Sequence, residues 1–180
     1  MSRTVFGAPQ HWMDVIAKPC DNLMLWQPQR NHRGVTCGGV LFSGRIDVKK
    51  ATGTFEVNIA ALPQYNTSEV AKLARMSIDK QFHGDLVGTS QGEMLSAGTG
   101  TKGSAGYVAI ERVTGTLNDR RGSFILQHNA TTTRGVPYLN IVVIPDSGTE
   151  EFTGITGTMH IAIDKGNHSY EFEYSFSDGT

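Results

Sequence analysis

The chain reads as all-β: a single antiparallel sheet of about eight strands that closes into a barrel. Three observations predict this. Apolar and polar residues alternate with a period of two through residues 54–59, 76–82, 158–163 and 168–176. Short turns rich in Gly, Asn and Asp separate the runs. Hardly any stretch carries a helical period, and an open sheet of this length would leave two unprotected edges that closure removes. A two-layer sandwich is the rival architecture. A barrel of about eight strands is wide enough to be filled by its own side chains or to hold one small ligand.

Residues 1–50 stand apart. They hold both tryptophans (Trp12, Trp26), both cysteines (Cys20, Cys37) and three prolines (Pro9, Pro19, Pro28). Their charge balance is +4, which leaves −5 for the remainder of a chain whose net charge is −1. No period persists, so this part is expected to be an irregular or disordered extension, or the product of a start placed too far upstream. Val40, Leu41 and Phe42 are its one candidate strand or plug. Residues 51–180 are the barrel domain.

Within that domain, residues 54–59 alternate with the apolar side chains on odd numbers. Residues 68–75 fit one or two helical turns, with Ser68 as N-cap. Residues 76–82 alternate again, and Gly84 and Asp85 make a hairpin turn with glycine first. Residues 86–97 return as a strand whose Gly88 and Gly92 suit bends. After a glycine-rich link comes the hairpin that organises the chain, residues 106–117 and 122–130. With Asp119 and Arg120 at its tip, Glu111 faces His128 and Val113 faces Leu126. Residues 138–144 form the next strand, and residues 152–157 a short return piece. In the last hairpin, closed at Gly166 and Asn167, Tyr170, Phe172, Tyr174 and Phe176 share one face. There Ile163 faces Tyr170, Ile161 faces Phe172, Met159 faces Tyr174, and His160 neighbours Glu173 on the other face.

Several function classes are disfavoured. A near-neutral chain has no strong electrostatic grip on nucleic acid or a membrane surface. No apolar run is long enough to span a bilayer, and residues 1–10 do not look like a secretory signal, so a cytoplasmic setting with free thiols is expected. Three Asn-X-Ser/Thr tripeptides, at Asn66, Asn129 and Asn167, read as chance matches in that setting. No metal and no cofactor is expected, because neither histidines nor cysteines take a ligand spacing. Residues 98–103 match G-x-G-x-x-G, but a strand follows where a dinucleotide site needs a helix.

From residue 51 onward the chain resembles an uncharacterised, largely bacterial family, domain of unknown function three-two-two-four. The resemblance is carried by RMSIDKQFHG (75–84), GEMLSA (92–97), GSAGYVA (103–109), GSFILQH (122–128) and VIPDSGT (143–149). It implies a fold similar to the allene oxide cyclase barrel. It carries over no catalytic residue, and fold alone does not convey activity.

The chemistry-bearing candidates are therefore few. Glu111 and His128 on one inner face would form an acid–base pair; burial would raise the carboxyl pKa and an imidazolium would lower it. The plainer reading is a satisfied polar pair that fixes register. Tyr107 could lend a hydroxyl to that face. Tyr107, Phe124, Leu126, Tyr170, Phe172 and Tyr174 are the candidate ligand-binding lining. Asp79, Gln81, His83, Gln91 and Glu93 fit a solvated outer face better than a cavity wall. The leading functional expectation is a barrel that binds a small apolar molecule. The alternatives are a cyclase- or isomerase-type enzyme using Glu111 and His128, and a structural or self-associating domain with a filled barrel.

Overall fold

The computed structural model describes residues 47–68 and 71–177. Eight strands follow one another: β1 (Lys49–Leu62), β2 (Lys72–Gly84), β3 (Leu86–Gly98), β4 (Ala105–Leu117), β5 (Arg120–Thr133), β6 (Val136–Val143), β7 (Ile155–Asp164) and β8 (Asn167–Phe176). They close in sequence order, β1 pairing with β8, into one antiparallel barrel. A single 3₁₀ turn, Glu150–Phe152, is the only helical element among the described residues. Closure explains why so glycine-dotted a sequence forms strands of up to 14 residues: each strand has a neighbour on both sides, and glycines let the wall curve. The seam between β6 and β7 is the thinnest, with one paired position, Val142 with Thr158.

The alternation predicted from the sequence is the alternation of burial. In β2, Met76, Ile78, Lys80 and Phe82 are buried, while Ser77, Asp79, Gln81 and His83 lie towards solvent. In β8, Tyr170, Phe172 and Tyr174 are buried and Glu173 is exposed. The outer polar set takes its solvated place, with Arg75 ion-paired to Glu93 at 2.6 Å. His160 is exposed too, on the outer face of β7.

Three expectations are corrected. Residues 68–75 do not wind into a helix. Ser68 Oγ accepts a hydrogen bond from Ala71 N at 3.2 Å, but the chain is already extended at Lys72. Pairing Lys72 to Arg75 with Gly98 to Leu95 outweighs the weak local helical pattern.

The central hairpin turns one residue earlier than expected, at Asn118 and Asp119. Both have positive φ, 45° and 71°. A two-residue turn of this hand requires such angles, and Asn and Asp tolerate them far better than Arg. Moving the tip by one residue slides the register by two. Glu111 therefore faces Leu126, His128 faces Ala109, and Val113 faces Phe124. The last hairpin slips in the same way, turning at Lys165 and Gly166. Ile161 faces Tyr170, Met159 faces Phe172, Gly157 faces Tyr174, and His160 faces Glu171.

The third correction concerns residues 152–157. Phe152 ends the 3₁₀ turn as a fully buried plug, and β7 begins only at Ile155. The extension's candidates, Trp12, Trp26, Cys20, Cys37 and residues 40–42, lie outside the described residues.

The interior has two unequal halves. The half carrying the β2–β3 and β4–β5 turns is packed solid. Phe124 stacks on Phe172 at 5.5 Å, Phe172 on Tyr174 at 5.3 Å, and Phe152 meets Phe124 edge-on at 5.6 Å. Leu86 and Leu117 close this end. The tyrosine hydroxyls are tied off. Leu86 N donates to Tyr170 Oη at 2.8 Å, and Asn118 Nδ2 donates to Tyr174 Oη at 2.9 Å. A Cβ at Gly53 would stand 2.6 Å from Tyr170 Oη, so only glycine leaves room for that ring. The other half holds a smaller cluster, Met76, Ile78, Met94 and Ala109. Against it lie Val57, Ile59, Ala74 and Tyr107, all only partly buried.

Candidate functional site

Between the two halves sits a buried ionic cluster. Glu111 on β4 is wholly buried. Lys80 on β2 donates from Nζ to Glu111 Oε2 at 2.7 Å. Ser90 on β3 donates from Oγ to Glu111 Oε1. His128 Nε2 lies 2.9 Å from Glu111 Oε2, although it makes no directed hydrogen bond. The strand register explains the meeting. Lys80 pairs with Ser90 and Gly92 with Glu111, so three neighbouring strands aim these side chains at one point. Gly92 makes the approach possible, since a Cβ there would stand 3.0 Å from Glu111 Cβ and 2.4 Å from the Ile110 carbonyl.

Electrostatics decide the state of the carboxyl. Burial, the largest single influence, pushes its pKa up. The Lys80 ammonium and the His128 ring together pull it down further, to about 2. Glu111 is therefore a permanent carboxylate at ordinary pH, not a proton donor. Lys80 Nζ also lies 5.0 Å from the centre of the Phe55 ring and 5.7 Å from that of Phe82, so aromatic faces complete its shell.

Beyond this cluster, towards the looser half, lies a second group of polar side chains. Tyr107 on β4 has its ring 6.5 Å from that of His128. Its phenol is pushed up to about 12 by burial and by the Glu111 charge, so it stays neutral. Thr132, 3% exposed, has a buried hydroxyl with no hydrogen-bond partner. His168 on β8 packs against Phe55, and its buried Nε2 also has no partner. Its pKa is lowered, by burial first and then by the Lys80 charge. Unsatisfied buried polar atoms are uncommon and costly, so the Thr132 hydroxyl and His168 Nε2 call for an explanation.

The structure brings some of the expected residues together and separates others. Glu111, His128 and Tyr107 share the inner face, as diagonal neighbours rather than opposed pairs. Leu126 is directly opposite Glu111. Phe124, Tyr170, Phe172 and Tyr174 belong to the packed half. Sequence reasoning missed Lys80, Ser90, Thr132 and His168. Lys80 had a visible signal: a lysine in the apolar phase of an alternating strand must be buried and paired. His168 had a similar one, being in phase with Tyr170 and Phe172.

Other features carry less. The loop matching G-x-G-x-x-G spends its amides on itself: Thr99 N bonds to Ser104 O and Thr101 N to Thr99 Oγ1. With Lys72 and Gln64 it borders a rim cleft of about 380 Å³ outside the ionic cluster. Among the described residues, no three His, Cys, Asp or Glu side chains converge as metal ligands, and no helix is long and apolar enough to cross a membrane.

Comparisons with known proteins place these features in a family. A family described as "Protein of unknown function (DUF3224)" matches residues 51–174. A crystal structure of a DUF3224-family protein with unknown function from Shewanella oneidensis MR-1 is similar, with 48% sequence identity and a TM-score of 0.71. The likeness covers 73% of this chain and 100% of that one. No curated protein matches the chain.

Proposed function

The chain belongs to the DUF3224 family, and we propose that it binds a small apolar molecule inside the looser half of its barrel. One observation carries this reading. Around the small cluster of that half, Val57, Ile59, Ala74 and Tyr107 keep accessible surface, whereas the central rings of the packed half, Phe124, Phe152 and Phe172, have none. An apolar wall with a few converging polar groups is the usual make-up of a ligand pocket. The packed half supplies a rigid floor, and the Lys80–Glu111 pair is spent on itself.

The test is to incubate the protein with an apolar cell extract, remove the excess, and analyse the complex by native mass spectrometry. A retained small molecule, displaced by the apolar fluorophore N-phenyl-1-naphthylamine, is the expected result. Failure of both the extract and the fluorophore to bind would favour a purely structural barrel.

The 2.9 Å approach of His128 to Glu111 favours a second reading, an isomerase- or cyclase-type enzyme. Glu111 would then hold and orient the imidazole, and His128 would be the group that moves the proton. Conversion of a retained compound, abolished in His128→Gln with binding intact, would select this reading over simple carriage.

A further inference from the structure

Resting on that reading of the looser half as a ligand pocket, we propose that the pocket selects an uncharged ligand, an apolar skeleton bearing one hydroxyl or carbonyl group, and seats that group on the β4–β5 wall between Tyr107, His128 and Thr132.

The wall is built for one polar contact in apolar surroundings. Thr132 faces Ala105, Ala130 faces Tyr107, and Ala109 faces His128 across the same hairpin. Each polar side chain is therefore opposite an alanine, which leaves space beside it. The Thr132 hydroxyl is nine-tenths buried or more and unpartnered. No hydrogen bond among the described residues engages the Tyr107 hydroxyl or His128 Nδ1. Together these groups can both donate to and accept from one ligand oxygen. On the next strand, β6, Leu139 faces Ala130 and Ile141 faces His128, so the surroundings are hydrocarbon.

Charge selectivity follows from what lies beneath. The ionic residues buried in the barrel, Lys80 and Glu111, cancel each other at 2.7 Å and offer no free countercharge. An incoming carboxylate would approach the Glu111 anion, and an incoming ammonium would give up its hydration for a hydrocarbon wall. Two titratable groups of the pocket lean the same way. The Tyr107 phenol is held neutral by burial and the Glu111 charge, and burial and then the Lys80 charge lower the pKa of the His168 ring. Desolvation thus acts against either sign of ion.

The experiment displaces bound N-phenyl-1-naphthylamine from the full chain with 1-decanol, 2-decanone, decanoate and decylamine at pH 7.5. The alcohol and ketone are expected to compete at least about tenfold better than either ion, a difference of about 1.4 kcal/mol. In Thr132→Val and Tyr107→Phe that advantage should shrink several-fold, each competitor being referred to the fluorophore affinity measured in the same variant. The valine is isosteric, so folding, checked by circular dichroism, is expected to survive. If the fluorophore binds but decanoate or decylamine competes as well as decanol, the inference is overturned and the pocket stands. Unaltered selectivity in both variants would overturn the seat on β4–β5. If nothing binds, the pocket reading itself fails.

Discussion

The two halves of this barrel are built from the same strands and the same alternation, yet they solve different problems. In the packed half, aromatic side chains from β1, β2, β5 and β8 interlock, the Phe152 plug fills the remaining space, and both tyrosine hydroxyls are satisfied. In the looser half, the inward positions are often small (Ala74, Ala109, Ala130) and three buried polar atoms lack directed partners. The difference teaches where stability and function can separate. One half can supply the core that holds the wall closed, leaving the other free to remain imperfectly filled. Between them, the Lys80–Glu111 pair marks the boundary.

The sharpest way to break this comparison is to truncate one residue in each half. Phe124→Ala should cost about 4 kcal/mol, because a fully buried stacked ring leaves a cavity that its neighbours cannot fill. Ile59→Ala, in the looser half, should cost less than about 2 kcal/mol, since its side chain is already partly exposed. Urea unfolding measures both. Equal costs would mean that the halves do not differ as described.

The boundary itself offers the next effect. Glu111→Gln should destabilise by about 3 kcal/mol, because it strands the buried Lys80 charge. Adding Lys80→Met should return much of that loss. The same pair sets a pH signature. The Glu111 carboxyl falls from its ordinary 4.5 to about 2 in the folded protein. Its contribution is therefore present above the unfolded value and lost as the pH falls from about 5 towards 2. The native chain should lose about 3 kcal/mol over that window by this route. The Glu111→Gln chain should have a correspondingly flatter profile in urea titrations at stepped pH. A variant as steep as the native chain would remove Glu111 from the account.

Much of this was legible in the sequence, for reasons that particular residues make plain. The period-two runs announced strands because a barrel wall has one wet and one dry face, as in Met76, Ile78 and Phe82 against Asp79 and Gln81. Glu111 and His128 could be placed on a common inner face despite a wrong turn. A one-residue shift of the tip moves the register by two, and a shift of two preserves the face. The true tip was readable in principle: Asn118 and Asp119 take up positive φ more readily than Arg120. What was not legible is how three strands converge. Lys80 and Ser90 reach Glu111 only because β2, β3 and β4 are in register, and a single chain of letters does not state which positions of separate hairpins share a level. The division into packed and loose halves was hidden for the same reason. Phe124 and Tyr107 both read as inward aromatics, and only the barrel's axis separates them.

The account stands or falls on whether the looser half takes up a ligand while the packed half does not. The most direct measurement is a titration of the isotope-labelled full chain with N-phenyl-1-naphthylamine, followed by amide NMR with assigned resonances. The account predicts shifts concentrated at Tyr107, His128, Ala130, Thr132 and Ile161, with Leu117 and Phe152 unmoved. Shifts confined to the outer faces of the strands, or centred on Phe152 and Phe124, would contradict it.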